Sequence, residues 1–211
     1  MEYSAANIRQ LAESGELQVE HIIAAALVRD EAIAAELESL KKELSWPHRD
    51  AARSQRKVPL ADWADTAIQF IREGYAGLRA LPRSKLSFTT ALLAQDLREE
   101  SAKALNEIAQ DIGGSATVEE KGLLSTALNL VLSFDHAPQI DENLRQKIKN
   151  HLHGYYQSDI PENTKATVCC ALRGVGDEES IKIIQASSKL GGPWAGVETT
   201  VIKAIKGRST Q

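Results

Sequence analysis

The sequence predicts an all-α protein, an α-α superhelix of stacked helix pairs with a less regular N-terminal helical part. Three observations carry that expectation. No segment of useful length alternates apolar and polar residues with period two, so no strand is expected. Ala and Leu are plentiful while aromatic residues make up only 5% of the chain, which favours closely approaching helices over sheets. Finally, Thr167-Val168-Cys169-Cys170-Ala171-Leu172-Arg173-Gly174 aligns without a gap on Thr200-Val201-Ile202-Lys203-Ala204-Ile205-Lys206-Gly207, 33 positions later. Thr, Val, Ala and Gly are identical, Leu pairs with Ile, Arg pairs with Lys, and Pro161 and Pro193 open the two segments at nearly the same offset. A period of this length marks helical repeat arrays, in which one helix pair cannot bury its apolar face without a neighbour.

In chain order, the first helix is expected to start at Ser4, to carry Ile8 and Leu11 on one face and to stop near Gly15. Residues 17–44 follow, with Ile22, Ala26, Ile33, Leu37, Leu40 and Leu44 at helical spacing and a break at Arg29-Asp30. Residues 45–59 lack periodicity and contain Pro47 and Pro59, so a loop is expected there. A helix over 60–81 carries Trp63, Ala67, Phe70, Ile71 and Leu78, and Pro82 ends it. Gly74 and Gly77 inside it each cost about 1 kcal/mol relative to Ala unless close packing compensates. From 86 to 112, Leu93, Leu97, Leu105, Ile108 and Ile112 fit one long helix or a kinked pair, stopped by Gly113-Gly114.

Thr117-Val118-Glu119-Glu120 is a capping box, and the helix it opens carries Leu124, Leu128, Val131 and Leu132. Asp141 begins another, with Leu144, Ile148, Leu152 and Tyr155 on one face. Pro161 suits the first turn of the next, where its missing N–H costs nothing, and Val168, Ala171, Leu172 and Val175 face inward. Gly176 is expected to turn the chain in the left-handed conformation and Asp177 to cap the following helix. Its core face is Ile181, Ile184 and Leu190. After Gly191-Gly192-Pro193, Trp194, Val197, Val201 and Ile205 line the final helix. The repeated octet thereby resolves into paired core positions, a basic last turn and a glycine stop.

The run Ala171-Leu172-Arg173-Gly174-Val175-Gly176-Asp177-Glu178-Glu179-Ser180-Ile181 resembles the HEAT-like repeat of the phycobilisome-lyase type. There, a first helix ends in an Ala-Leu-x-x-(Val/Ile)-Gly-Asp turn and the next opens with acidic residues before an aliphatic one. The match is best over residues 161–207, and the first eighty residues do not share it. The resemblance implies right-handed stacking of antiparallel helix pairs and a macromolecule-binding role. It brings no catalytic residue, because the motif is one of packing.

Bulk composition, at 43% hydrophobic and 26% charged, is ordinary for a soluble globular chain. No basic region precedes an apolar run at the N-terminus, and no stretch reaches the roughly 18 to 20 apolar residues a bilayer span needs. The chain therefore reads as one cytoplasmic helical domain, with N-terminal helices over 1–44, a basic loop over 45–59 and stacked helices over 60–211.

Chemistry is sparse. Cys169 and Cys170 are adjacent, point about 100° apart on a helix and read as structural. His151 and His153, two residues apart on a helix, face apart and do not share a metal. Asp135-His136 has no identifiable nucleophile beside it. The acidic pairs Glu119-Glu120, Asp141-Glu142 and Glu178-Glu179 fall at helix starts, where the dipole favours them. No catalytic, cofactor-binding or metal-binding residue is assigned.

Charge is uneven. Residues 1–44 carry four basic and nine acidic side chains, and residues 45–85 eight basic and four acidic. The candidate partner-binding residues are therefore Trp46, Arg49, Arg53, Arg56 and Lys57, an aromatic beside a basic cluster; Trp46 capping the preceding helix is the competing reading. Two function classes remain open, beside a chromophore lyase or its chaperone that only the repeat type suggests. One is a non-catalytic module binding a single protein partner, such as an immunity protein that neutralises a toxin by masking a basic cleft. The other is a HEAT-like DNA-binding protein or alkylpurine DNA glycosylase-like enzyme, which calls for a broadly basic face, whereas residues 86–211 carry thirteen basic and sixteen acidic side chains. An uncapped apolar edge on the last helix would lead to a homodimer.

Overall fold

The computed structural model describes residues 3–45, 59–187 and 189–208. These residues form α-helices and short 3-10 turns and contain no strand. They fall into two compact units, Met1–Leu92 and Leu93–Gln211.

The first unit holds α1 (Ala5–Glu13), α2 (Val19–Val28), α3 (Glu31–Leu44), α4 (Ala61–Ala80) and all but the last residue of α5 (Leu86–Leu93). Ser4 caps α1 by accepting from the Asn7 N–H, and Gly15 follows at φ 73°. The break expected at 29–30 is sharp. Arg29 takes a left-handed φ of 59° after α2, and Asp30 accepts from the Ala32 N–H at 2.9 Å to start α3. That reversal lets α2 and α3 both lie on α4, burying Ile22, Ile33, Leu37, Leu40 and Phe70. The Leu60 N–H donates to the Leu44 carbonyl at 3.0 Å.

The two glycines inside α4 play different parts. Gly74, at φ 66° and ψ −146°, interrupts the helical path. Gly77 stays helical in a space too small for a side chain, since an added Cβ would lie 2.9 Å from the Gln69 carbonyl oxygen. Beside the interruption, the Arg29 guanidinium lies over both the Phe70 and the Tyr75 rings, 4.3 and 4.7 Å from their centroids. Trp63 is half-buried and meets Phe88 edge-on at 4.9 Å.

The second unit holds α6 (Glu99–Ile112), α7 (Val118–Leu132), α8 (Glu142–Gln157), α9 (Glu162–Val175), α10 (Glu178–Ala186) and α11 (Val197–Arg208). Between 86 and 112 the chain makes two helices, and Leu97 falls in the break. It is 40% exposed rather than part of the stripe, while the buried Asp96 carboxylate pairs with Arg98 at 2.7 Å.

Local capping in this unit follows the side-chain chemistry. Thr117 and Glu120 exchange hydrogen bonds at 2.8 and 3.2 Å. Asp141 accepts from the Leu144 N–H at 2.7 Å. Asp177 accepts from the Ser180 N–H, whose hydroxyl accepts from the Asp177 N–H, each at 3.1 Å.

Alternate helices pack side by side: α7 on α9 and α9 on α11, with α6 touching α7 and α8, α8 touching α9 and α10, and α10 touching α11. The directions follow from close contacts. Gly122 lies beside Thr164 near the starts of α7 and α9, and Gly174 lies against Leu132 near their ends, so these helices run parallel. The start of α8 meets the end of α9 through Arg145 and the Gly174 carbonyl, so that pair is antiparallel. The core between them is Leu124, Leu128, Val131, Ile148, Leu152, Val168, Leu172, Val201 and Ile205.

Three details of the repeat differ from expectation. Gly176 has φ −65°, which any residue can adopt; it is required because an added Cβ would sit 2.8 Å from Ile205 Cδ1 and 2.6 Å from the Leu172 carbonyl oxygen. Gly174 does not stop α9, which runs on to Val175; an added Cβ there would lie 2.4 Å from the Leu132 carbonyl oxygen. Trp194 is half-buried in the 3-10 turn Gly192–Trp194 and precedes α11 instead of lining it. On α11 the exposed described positions are Thr199, Thr200, Lys203, Lys206 and Gly207, while Val197, Ile202 and Ala204 are half-buried.

Candidate partner-binding groove

The last carbonyls of a helix have no partners within it and draw donors from elsewhere. At the end of α9 those donors are two arginines brought from distant sequence. Arg208, in the last turn of α11, donates to the carbonyls of Arg173 and Gly176. Arg145, in the first turn of α8, donates through Nη1 to the Gly174 carbonyl at 3.2 Å. A cation at a helix N-terminus is unfavourable, and Glu142 lies 3.4 Å from the Arg145 Nε as a counterion, itself well exposed.

Arg173, on α9 itself, makes the third charge. Its guanidinium lies 4.7 Å over the Phe134 ring, and its Nε is buried without a hydrogen-bond partner. Phe134 is 43% exposed and stacks on His136, with ring centroids 6.1 Å apart and planes 8° from parallel. The three arginines, together with the chain from Leu132 to Ile140, surround an open groove of about 300 Å³. Asp135 is the one acidic side chain lining it. A second groove of about 370 Å³ shares Arg145 and Arg208 but also carries Lys149, Glu142 and Asp177, so its charges are nearly balanced. Burial, together with the nearby Arg145 charge, holds Arg208 below the usual arginine range against the opposing pull of Asp177.

The other polar side chains resolve into packing. Lys149, only 5% exposed, is paired with Asp177, and Glu179 lies 3.7 Å away. Burial alone would raise the Asp177 pKa, but the Lys149 bond and the N–H groups of Ser180 and Glu179 hold it below the ordinary carboxylate value. His153 shares a hydrogen bond with the Ser180 hydroxyl at 2.8 Å, and burial lowers the pKa of both His151 and His153. Burial pushes the Cys169 thiol up to about 12, which makes it unreactive at neutral pH. Among the described residues no three His, Cys, Asp or Glu side chains are grouped to hold a metal ion, and no helix is long and apolar enough to cross a membrane.

Of the candidate binding residues read from the sequence, Trp46, Arg49, Arg53, Arg56 and Lys57 all lie outside the described residues. The groove residues Phe134, Arg145, Arg173 and Arg208 escaped sequence reading. The one available signal was the basic last turn shared by the two copies of the octet, which read as generic complementation of the helix dipole. Comparison with protein-family models, curated proteins and solved structures gives no significant match.

Proposed function

We propose that the chain is a non-catalytic protein-interaction module, a short HEAT-like solenoid in its second unit that docks a single protein partner through the end of α7 and the arginine groove. The observation that carries the reading is Phe134. A large aromatic side chain is held exposed at a helix end, braced from beneath by an arginine, and exposed Leu130 stands four residues before it. Aromatic and arginine side chains are enriched at protein interfaces, and arginine is among the residues that dominate their binding energy. The solenoid reading is supported by the parallel run of α7, α9 and α11 and by a sequence period that matches the α9-to-α11 step. An inhibitor or immunity protein is one form of such a module, consistent with an overall charge of −4.

The test compares the full-length chain with its Phe134→Ser and Leu130→Ser variants as bait in native lysate, followed by reconstitution with the recovered protein. The reading expects a stoichiometric partner that the wild-type chain retains and both variants lose. Recovery of the chain alone, or retention unaffected by both substitutions, refutes it. Duplex DNA binding that falls steeply with salt would instead support a nucleic-acid role.

A further inference from the structure

We infer that the groove lined by Arg145, Arg173 and Arg208 is a carboxylate-recognition site that seats an acidic side chain or chain terminus of the protein partner; this rests on the protein-binding reading above. Helix capping accounts for two of the three arginines, since Arg145 and Arg208 satisfy carbonyls at the end of α9. It does not account for Arg173, which stacks on Phe134 and leaves Nε unpartnered.

Arg208 donates to two neutral carbonyls, and Arg145 shares its charge between the Gly174 carbonyl and the well-exposed Glu142, so among the described residues only the Arg145 guanidinium of the three has a carboxylate paired with it. Against three guanidinium groups the groove sets one carboxylate, Asp135, on an exposed part of the chain. Charge complementarity therefore calls for an anion, and the planar guanidinium fork matches carboxylate geometry. The rim selects the source. Exposed Phe134 and half-buried Pro138 flank the cations, giving an apolar border that suits a peptide segment better than a hydrated free ion.

The probe is a fluorescein-labelled, N-acetylated tetraglutamate amide, with the tetraglutamine analogue as control, titrated by anisotropy against the full-length chain at fixed ionic strength. The tetraglutamate peptide should bind and the tetraglutamine peptide should not. Arg173→Gln should weaken binding about tenfold, the size of one charge-assisted hydrogen bond, and Asp135→Asn should tighten it a few-fold. Equal binding of both peptides overturns the inference. So does an affinity unchanged in Arg173→Gln with helicity retained or, if that variant unfolds, an affinity unchanged in the exposed Asp135→Asn. Inorganic phosphate that protects the fold while tetraglutamate neither binds nor protects would identify a free-anion site, and that also overturns it. The two readings fail separately: a reconstituted partner held equally well by Arg173→Gln sinks this inference alone, whereas tetraglutamate binding with no partner sensitive to Phe134→Ser sinks the interaction-module reading.

Discussion

Gly174 and Gly207 occupy the same place in the repeated octet, yet their replacement by Ala should move stability in opposite directions. Both lie in helices, α9 and α11, where Ala is better than Gly by up to about 1 kcal/mol. At Gly207 an added Cβ meets nothing within 4 Å, so the substitution should stabilise by a few tenths of a kcal/mol, reduced because the helix ends one residue later. At Gly174 the same Cβ would lie 2.4 Å from the Leu132 carbonyl oxygen and 2.7 Å from the carbonyl carbon. These are backbone atoms of α7, so relief requires moving one helix against another. Overpacking of this kind costs about 1 to 3 kcal/mol, which outweighs the propensity gain. Gly154, in the interior of α8 with nothing within 4 Å of its added Cβ, supplies a second control expected to stabilise by about 1 kcal/mol. Urea unfolding followed by far-ultraviolet circular dichroism measures all three. A Gly174→Ala variant as stable as wild type, or one shifted in the same direction as Gly154→Ala, would refute the claim that close approach of α7 and α9 is why this position is glycine.

Thr117→Ala removes one half of the α7 capping box and should cost about 1 kcal/mol in the same assay. Asp177→Ala loses both the α10 cap and the nearest partner of buried Lys149, so it should destabilise more than Asp141→Ala, which loses a cap alone. Because the Asp177 pKa is held below its ordinary value, its contribution is complete above about pH 4 and is lost as pH falls through the folded-state value; Asp177→Asn should flatten stability against pH in that acidic range. His153 runs the other way round from a paired histidine. Burial lowers its pKa, the unfolded chain takes up the proton first, and stability should fall as pH drops below about 6.5. His153→Gln should reduce that slope and leave the share due to His151, while an unchanged slope would sink the assignment. A thiol reagent should modify half-buried Cys170, whose pKa burial also raises, only slowly in the native protein and reach Cys169 only on unfolding.

What was legible in the sequence was chemistry acting within one turn. The caps at Ser4, Thr117, Asp141 and Asp177 each satisfy an amide three residues away, so the segment alone contains both partners. Glycine was misread because it serves two purposes that look alike in one dimension. At Gly74 the backbone needs φ above zero, whereas at Gly174 and Gly176 the constraint is the space left by Leu132 and Ile205, residues some thirty to forty positions away. Leu97 was lost for a related reason. A four-residue rhythm persists on paper across a break that the buried Asp96 and its pair with Arg98 anchor in space.

The arginine groove draws on helix ends that lie far apart in the sequence. Phe134 lies just past the end of α7, Arg173 in the last turn of α9 and Arg208 at the end of α11, and these helix ends bring them into one neighbourhood although they are separated by tens of residues. No local motif connects them, and each alone reads as an ordinary helix terminus. Arg208 is the piece that ties the ends together, since it reaches back from α11 to two carbonyls at the end of α9. Arg208→Lys keeps the charge but cannot span both carbonyls with one planar fork. If that span positions the groove, the lysine variant should weaken tetraglutamate binding nearly as much as Arg208→Gln does. If charge alone matters, lysine should bind like wild type, and the geometric part of the argument would fall while the electrostatic part survived.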